Sequence, residues 1–245
     1  MFGYGVDRRA IGILFIILIA MSLVSMGSEG WINLALTLPS VIIAITFHEF
    51  AHAKAADVLG DTTPRNQGRL TLNPMSHVDP FGFFLLMFAG IGWGKPVQIN
   101  PNNFTSNKSR GTCESIVSVA GPLMNFFISI IACICFLALY YLLPDFVMTT
   151  WGSLTCDFLY ILMTINIGLG VFNLIPLPPL DGEKIFRNLL PYKAQRWLQD
   201  NYATLSAIFM ILWFVGVLDI IVYPIVSTIT DAMLVLTEKL FAMFF

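Results

Sequence analysis

Two histidines and a glutamate form the pattern with the clearest chemical meaning in this sequence. His48, Glu49 and His52 stand in the order His-Glu-x-x-His. Histidines four residues apart lie on one face of a helix, where both rings can reach one metal ion. Glu49 projects about a quarter-turn away, so it can face an open position on that ion without binding it. The pattern therefore predicts a metal-dependent hydrolytic site with Glu49 as general base.

The pattern lies inside an apolar stretch that covers residues 32–58. A short pattern of this kind also arises by chance in ordinary helices, where its histidines are solvated. At membrane depth, however, an unpaired acid costs at least about 2.5 kcal/mol, so an intramembrane glutamate is expected to be functional. The chain has only three histidines, and two of them belong to the pattern, which favours a metal site.

The composition indicates that the whole chain belongs in a membrane. Of the 245 residues, 57% are hydrophobic and 11% are charged, which is too few charges to cover a water-soluble surface of this size. The net charge is −2 and the basic residues are scattered, so we expect no nucleic-acid partner. The four cysteines lack CxxC spacing, and neither disulfides nor thiolate metal ligands are expected.

The apolar segments predict an all-α integral membrane protein with five to six transmembrane helices. The predicted spans cover residues 10–26, 32–58, 115–143, 153–175 and 204–223. The tail after Pro224 either spans as a sixth helix or lies in the interface. Residues 81–93 are too few to cross a bilayer, so a short re-entrant or interfacial segment is predicted between the second and third spans.

The distribution of basic residues predicts the orientation. If the N-terminus is cytoplasmic, the inner loops hold all but one of the 13 Lys and Arg residues, the exception being Lys239. Positive residues concentrate on the cytoplasmic side of membrane proteins, so we expect the N-terminus there. His48 then lies about 15 Å inside from the cytoplasmic end of its helix.

Two histidines need at least one more protein ligand to hold zinc. Asp181 ends a stretch with three prolines, at positions 176, 178 and 179, which cannot continue a helix and must line an enclosed or wet cavity. This stretch would bring Asp181 to the membrane side of both histidines, although the same residue types are typical of a simple turn. His77, in a turn-rich cytoplasmic loop, is the rival ligand or a structural hydrogen-bonding residue. Asp181 is the favoured candidate.

Two asparagines in apolar segments have roles that the residues alone leave open. Asn173 can donate to a developing oxyanion, worth about 2.7–4 kcal/mol if well placed, or it can bond between helices. Asn125 follows Gly121 and Pro122, where small residues let helices approach closely. We expect Asn125 to support the site rather than take part in catalysis.

Taken in order, these motifs resemble those of the site-2 proteases, a family of intramembrane zinc metalloproteases, and specifically its short prokaryotic-type members. The similarity runs from about residue 39 to residue 190. The motifs that carry it are residues 48–52, 73–82, 92–97, 120–125 and 173–182.

The resemblance implies a role for each candidate residue. His48, His52 and Asp181 would bind one zinc ion per chain, Glu49 would be the general base, and Asn173 would lie near the scissile carbonyl. Substrates would be transmembrane proteins, cut within their membrane segments inside the lipid bilayer.

The resemblance also implies an organisation. Residues 1–245 would form a single membrane-embedded protease domain with a three-span catalytic core, about residues 32–182, open toward the cytoplasm. Helices at 10–26 and 204–245 would be peripheral. The segment between His52 and the third span is too short for an inserted PDZ domain, and no regulatory domain is expected. The expected location is a prokaryotic cell membrane.

Three other protein classes fit parts of the pattern. A membrane zinc transporter needs ligands repeated along several spans, and the chain has one histidine pair. A non-catalytic metal-binding scaffold has no need of Glu49, and a purely structural membrane protein has no need of the buried pattern. Substitution of Glu49 separates these classes, because only a protease would lose its function.

Overall fold

The computed structural model describes residues 27–83 and 94–243, and this part of the chain is built from helices. The longer helices are α1 (Ser28–Val58), α2 (Arg110–Leu142), α3 (Thr150–Asn173), α4 (Asp181–Arg187), α5 (Tyr192–Asp200), α6 (Tyr202–Phe214) and α7 (Val217–Phe241). Single helical turns occur at Thr63–Asn66, Pro74–Ser76, Pro101–Asn103 and Pro144–Val147. Within the described ranges, β pairing is limited to an isolated antiparallel bridge between Val78 and Gly94.

Four of the described helices, α1, α2, α3 and α7, are long and apolar enough to cross a membrane. Helices α1, α2 and α3 correspond closely to the predicted spans at 32–58, 115–143 and 153–175. The predicted span at 10–26 and most of the predicted re-entrant segment at 81–93 lie outside the described residues. The all-helical membrane architecture is therefore confirmed, and the re-entrant segment stays a prediction.

The predicted span at 204–223 is divided into two helices. Helix α6 ends at Phe214, Gly216 adopts a left-handed φ of +76°, and α7 begins at Val217. Glycine adopts this conformation without the steric cost that a side chain imposes, so the chain breaks here. Pro224, the predicted boundary, lies inside α7. The apolar tail therefore continues a helix that starts before Pro224 instead of forming a separate one.

Several polar residues of α2 face inward, while some of its large apolar side chains face outward. Ser118, Asn125 and Ser129 are buried against neighbouring helices, whereas Phe127 and Ile134 are exposed. This pattern is the reverse of that in a water-soluble bundle, and it is expected where lipid surrounds the helices.

Helices α1, α2 and α3 form the centre of the bundle. Helix α2 runs antiparallel to both neighbours. Its residues Val117 and Asn125 contact His52 and Ala44 of α1 respectively, and its residues Asn125 and Phe136 contact Asn166 and Tyr160 of α3. A buried apolar cluster joins α2 to α3. A second cluster, around Phe209 and Leu218, packs the junction of α6 and α7 against the end of α3. The α6–α7 junction is thereby placed beside the segment that leads to α4.

The loop after α1 folds back onto the end of that helix. The fully buried Asp61 carboxylate accepts hydrogen bonds from Thr63 N at 3.0 Å, from Asn100 N at 2.7 Å and from Asn103 Nδ2 at 3.0 Å. Burial alone would raise the pKa of Asp61, but these hydrogen bonds outweigh it and lower the pKa below its ordinary value. Asp61 is therefore ionised at neutral pH and ties the start of the loop to its end.

Candidate metal centre

The three predicted metal ligands come together in the bundle. Nε2 of His48 lies 3.0 Å from Nε2 of His52, and Oδ2 of Asp181 lies 3.1 Å from each of these nitrogens. Within residues 27–83 and 94–243, this is the group of His, Cys, Asp or Glu side chains whose ligand atoms converge closely enough to hold one ion. The three atoms form a nearly equilateral triangle.

The triangle fits a tetrahedral zinc ion. With bonds of about 2.0–2.1 Å, the ligand atoms of such an ion lie about 3.3 Å apart, close to the separations found here. Two imidazoles and one carboxylate are the donor set of several catalytic zinc sites, which keep a fourth position open. The residues present therefore match this metal in both chemistry and spacing.

Hydrogen bonds on the far side of each ring fix its tautomer. His48 Nδ1 lies 2.6 Å from Asn125 Oδ1, and His52 Nδ1 lies 2.7 Å from the carbonyl oxygen of Val117. Because both partners are acceptors, each Nδ1 carries the proton and donates. Each neutral ring therefore directs the lone pair of its Nε2 toward Asp181. Three lone-pair-bearing atoms at this spacing repel one another unless a cation lies among them.

Asn125 is itself held in one orientation. Its Nδ2 donates to Ala44 O at 3.1 Å and to Asn166 Oδ1 at 2.9 Å, and Asn166 Nδ2 donates to Leu162 O at 2.8 Å. Both asparagines are fully buried. With its amide nitrogen occupied on both sides, Asn125 can present only its oxygen to His48. The sequence analysis assigned Asn125 a supporting role but missed Asn166, although an asparagine in an apolar span was the available signal.

Close approach of α2 makes room for the site. A side chain at Gly121 would overlap the ring of His52 and contact that of His48. Both histidines are nearly buried against α2, and the glycine is what lets the helix pass this near. Gly121 belongs to one of the motifs that carry the family resemblance, and the structure shows that the close approach expected there is made against the two histidine rings.

Asp181 reaches the histidines because the chain leaves its helical path after α3. The segment between α3 and α4 contains Pro176, Pro178 and Pro179, and Asp181 is the first residue of α4. A side chain at Gly182 would overlap the carbonyl oxygens of Leu174 and Ile175, so only glycine lets the segment close here.

Asp181 contributes the carboxylate of the triangle. The ionised form is the one in which a carboxylate binds a metal.

Glu49 does not belong to the triangle. It is half-buried, and its Oε2 accepts a hydrogen bond of 2.9 Å from the backbone N–H of Val97. The side chain lines a cleft of about 780 Å³ together with His48. This cleft, called the apolar cleft below, is bounded by α1, α3, residues 94–96 and the α6–α7 junction, and most of its lining is apolar.

The other two candidate residues occupy different places. Asn173 lines the apolar cleft, and its Nδ2 donates to Leu169 O of its own helix at 3.0 Å. His77 is fully buried in the loop, where its Nε2 lies 2.7 Å from Thr71 O. It is not among the converging ligand atoms. The geometry thus groups Asp181, not His77, with the histidine pair.

The chain is similar in sequence to known proteins. A model of peptidase family M50 matches residues 145–217. A Bacillus subtilis (strain 168) protein named "Putative zinc metalloprotease YwhC" is 33% identical over 204 residues, which cover 82% of this chain and 90% of that protein. "Putative zinc metalloprotease Rip2" of Mycolicibacterium smegmatis is 30% identical over 166 residues, or 64% of this chain and 58% of that protein. No solved structure matches the chain.

Proposed function

Since the chain belongs to peptidase family M50, we propose that it is an intramembrane zinc endopeptidase that cuts transmembrane segments of other membrane proteins near the cytoplasmic side of the bilayer. The observation that carries this proposal is the His48–His52–Asp181 triangle, with Glu49 beside it, at the edge of an apolar cleft between membrane helices. The substrate class, the cleavage chemistry and the position of the cut in the bilayer are each inferred from that placement.

In the proposed hydrolysis of a peptide bond, the metal and Glu49 have separate roles. His48, His52 and Asp181 would hold the zinc ion, and its net positive charge would supply the polarisation of a peptide carbonyl and the activation of water. Among the described residues, Glu49 Oε1 accepts no hydrogen bond, whereas Oε2 accepts one from Val97. Oε1 is therefore the oxygen that takes the proton of the attacking water and returns it to the leaving amine.

Asn173 is the proposed donor to the scissile carbonyl. It lies on the same cleft as Glu49, on the opposite helix α3. One N–H of its amide is used within its own helix, which leaves the second for a substrate oxygen. A donor placed there would stabilise the developing negative charge.

The substrate class follows from the surroundings of the cleft. Its lining is mainly apolar, and it lies between helices that are long enough to cross a membrane. A membrane helix already uses its peptide groups in internal hydrogen bonds. The substrate must therefore unwind locally before Glu49 and the metal can reach a peptide bond.

Orientation rests on the charged loops. The ends of α1 and α3 that carry the site lie next to Lys and Arg residues on the last turn of α1 and in the segments that follow, such as Lys54, Arg65 and Lys184. Under the positive-inside rule these loops face the cytoplasm, with the N-terminus on the same side, in the membrane of a prokaryotic cell.

A cleavage assay with Glu49→Gln tests the proposal. The purified protein should cut members of a library of single-span membrane segments, and a zinc chelator should abolish cutting. Glu49→Gln should keep its zinc, because Glu49 is outside the triangle, yet turnover should fall by at least about 10²-fold since an amide cannot accept the proton. Glu29→Gln, an exposed substitution on the same helix, is the matched control and should cut at the normal rate.

One result would overturn the proposal. If Glu49→Gln with full zinc content cut at the wild-type rate, another residue or another chemistry would have to be responsible. A zinc transporter or scaffold would show zinc binding without cleavage by any of the three proteins.

A further inference from the structure

Glu49 is held by a residue far away in the sequence. Its Oε2 accepts the backbone N–H of Val97 at 2.9 Å, and among the described residues no other group donates to this carboxylate. The contact joins a helix within the membrane to the segment that follows residues 84–93. A glutamate with three rotatable side-chain bonds would otherwise sample several positions at the edge of the cleft.

The segment that carries Val97 is fixed at both ends. At one end Lys95 N donates to His77 O at 2.7 Å, next to the bridge between Val78 and Gly94. At the other end Asn100 N donates to Asp61 Oδ2 at 2.7 Å. Between these anchors burial alternates residue by residue, as in an extended strand. Val97 is one of the inward-facing positions.

The Asp61 anchor is itself rigid. Its other oxygen, Oδ1, accepts from Thr63 and Asn103, and the side chain is fully buried. Beside it Gly60 has a φ of +106°, and a side chain there would overlap Thr105. The place of Asn100 is therefore set by a compact corner outside the membrane-spanning part of α1.

The hydrogen bond on Oε2 gives the two oxygens of Glu49 different roles. With Oε2 bonded to Val97, Oε1 is the oxygen left available on a side chain that lines the cleft together with His48. A general base is effective only when it is within hydrogen-bonding reach of the proton it removes, and small misplacements of reacting groups cost large factors in rate.

We propose that the backbone N–H of Val97 positions Glu49 for its role as general base, and that Asp61 holds Val97 in place through Asn100. The inference rests on the proposed function for its catalytic consequence, whereas the contact itself can be tested without proteolysis. Val97 and Asp61 are positioning residues, since neither belongs to the ligand triangle or lines the cleft.

Hydrogen exchange at the Val97 amide tests the contact. In the zinc-loaded protein in lipid nanodiscs, this amide should exchange slowly. Glu49→Ala removes the acceptor and should speed exchange by at least about tenfold, whereas Glu49→Gln retains an acceptor oxygen and should leave exchange nearly unchanged. Equal exchange in the wild type and Glu49→Ala would overturn the proposal.

The same measurement tests the anchor. Asp61→Asn replaces Oδ2 by a group that cannot accept from Asn100 N, and exchange at Val97 should rise. Asp57→Asn is the matched control, because Asp57 pairs with Arg65 in the same corner but does not contact residues 95–100. If both variants raised exchange equally, general loosening would explain the result and the role of Asp61 would be refuted.

Kinetics test the consequence for catalysis. Val97→Pro removes the N–H, and kcat for a cleaved membrane segment should fall by about a hundredfold with unchanged KM and zinc content. Val97→Ala keeps the N–H, so its kcat should stay within about twofold of the wild-type value. The proposal would be overturned if kcat of Val97→Ala fell as far as that of Val97→Pro, or if Val97→Pro kept the wild-type kcat.

If Val97→Pro does not fold, the exchange comparison between Glu49→Ala and Glu49→Gln decides alone. Absence of cleavage by the wild type would refute the proposed function, and the exchange result would still be read separately.

Discussion

The amide oxygen of Asn125 lies 2.6 Å from Nδ1 of His48, on the opposite side of the ring from Asp181. The asparagine is locked by its bonds to Ala44 and Asn166. A buried polar connection therefore runs from α3 through α2 to His48, a proposed metal ligand on α1. Partners of this kind orient ligand rings and raise their affinity for the metal.

Removal of either asparagine should weaken zinc binding. Asn125→Leu leaves His48 Nδ1 without an acceptor, and loss of such a partner typically costs about 10- to 100-fold in metal affinity. Asn166→Leu should cost less, because it only frees Asn125 to turn. Both effects can be measured by competition with a zinc chelator of known affinity.

Asn173→Leu is the control for these two variants. Asn173 is on the same helix as Asn166 but bonds only to its own backbone among the described residues, so zinc affinity should stay unchanged. If all three asparagines behaved alike, the fixed tautomer of His48 would not explain the affinity.

Gly121 should be intolerant of any side chain. In Gly121→Ala the added methyl group would overlap the His52 ring, so the rings must move and zinc content per chain should fall. Gly168→Ala is the matched substitution, because a side chain there would meet open space and zinc should be retained. Elemental analysis of the two purified proteins gives the answer, and full zinc content in Gly121→Ala would contradict the proposed close approach.

The residues that could be predicted from the sequence are those whose side chains do the chemistry. His48, Glu49 and His52 share one helix, so their spacing alone determines their mutual placement. Asp181 needed a second argument, from the prolines before it. The contact of Glu49 with Val97 could not be predicted, since a backbone N–H leaves no trace in the residue type.

The helix break at Gly216 was missed for a different reason. Glycine is common inside membrane helices, and Pro224 was the more conspicuous breaker.

Asp181 rather than His77 should be required for zinc. Asp181→Ala removes one corner of the triangle and leaves two neutral nitrogens, so zinc retention should fall sharply. His77→Gln can keep the bond to Thr71 O and should hold zinc normally. Zinc content measured by elemental analysis would refute the assignment if it fell in His77→Gln and held in Asp181→Ala.

The topology of the bundle predicts which sites a membrane-impermeant thiol reagent reaches in intact cells. Because α1, α2 and α3 alternate in direction, Asn66 and Lys193 lie toward one end and Asp145 lies toward the other. All three are exposed. The positive-inside rule puts the Asn66 and Lys193 end in the cytoplasm.

Single cysteines at these three positions provide the measurement, in a background where the exposed Cys135 is replaced by serine. Asp145→Cys should react in intact cells, whereas Asn66→Cys and Lys193→Cys should react only after the membrane is permeabilised. Labelling of Asn66→Cys and Lys193→Cys from outside, with Asp145→Cys protected, would reverse the orientation. The metal centre would then open to the outer face, and substrates would have to be cut near their outer ends.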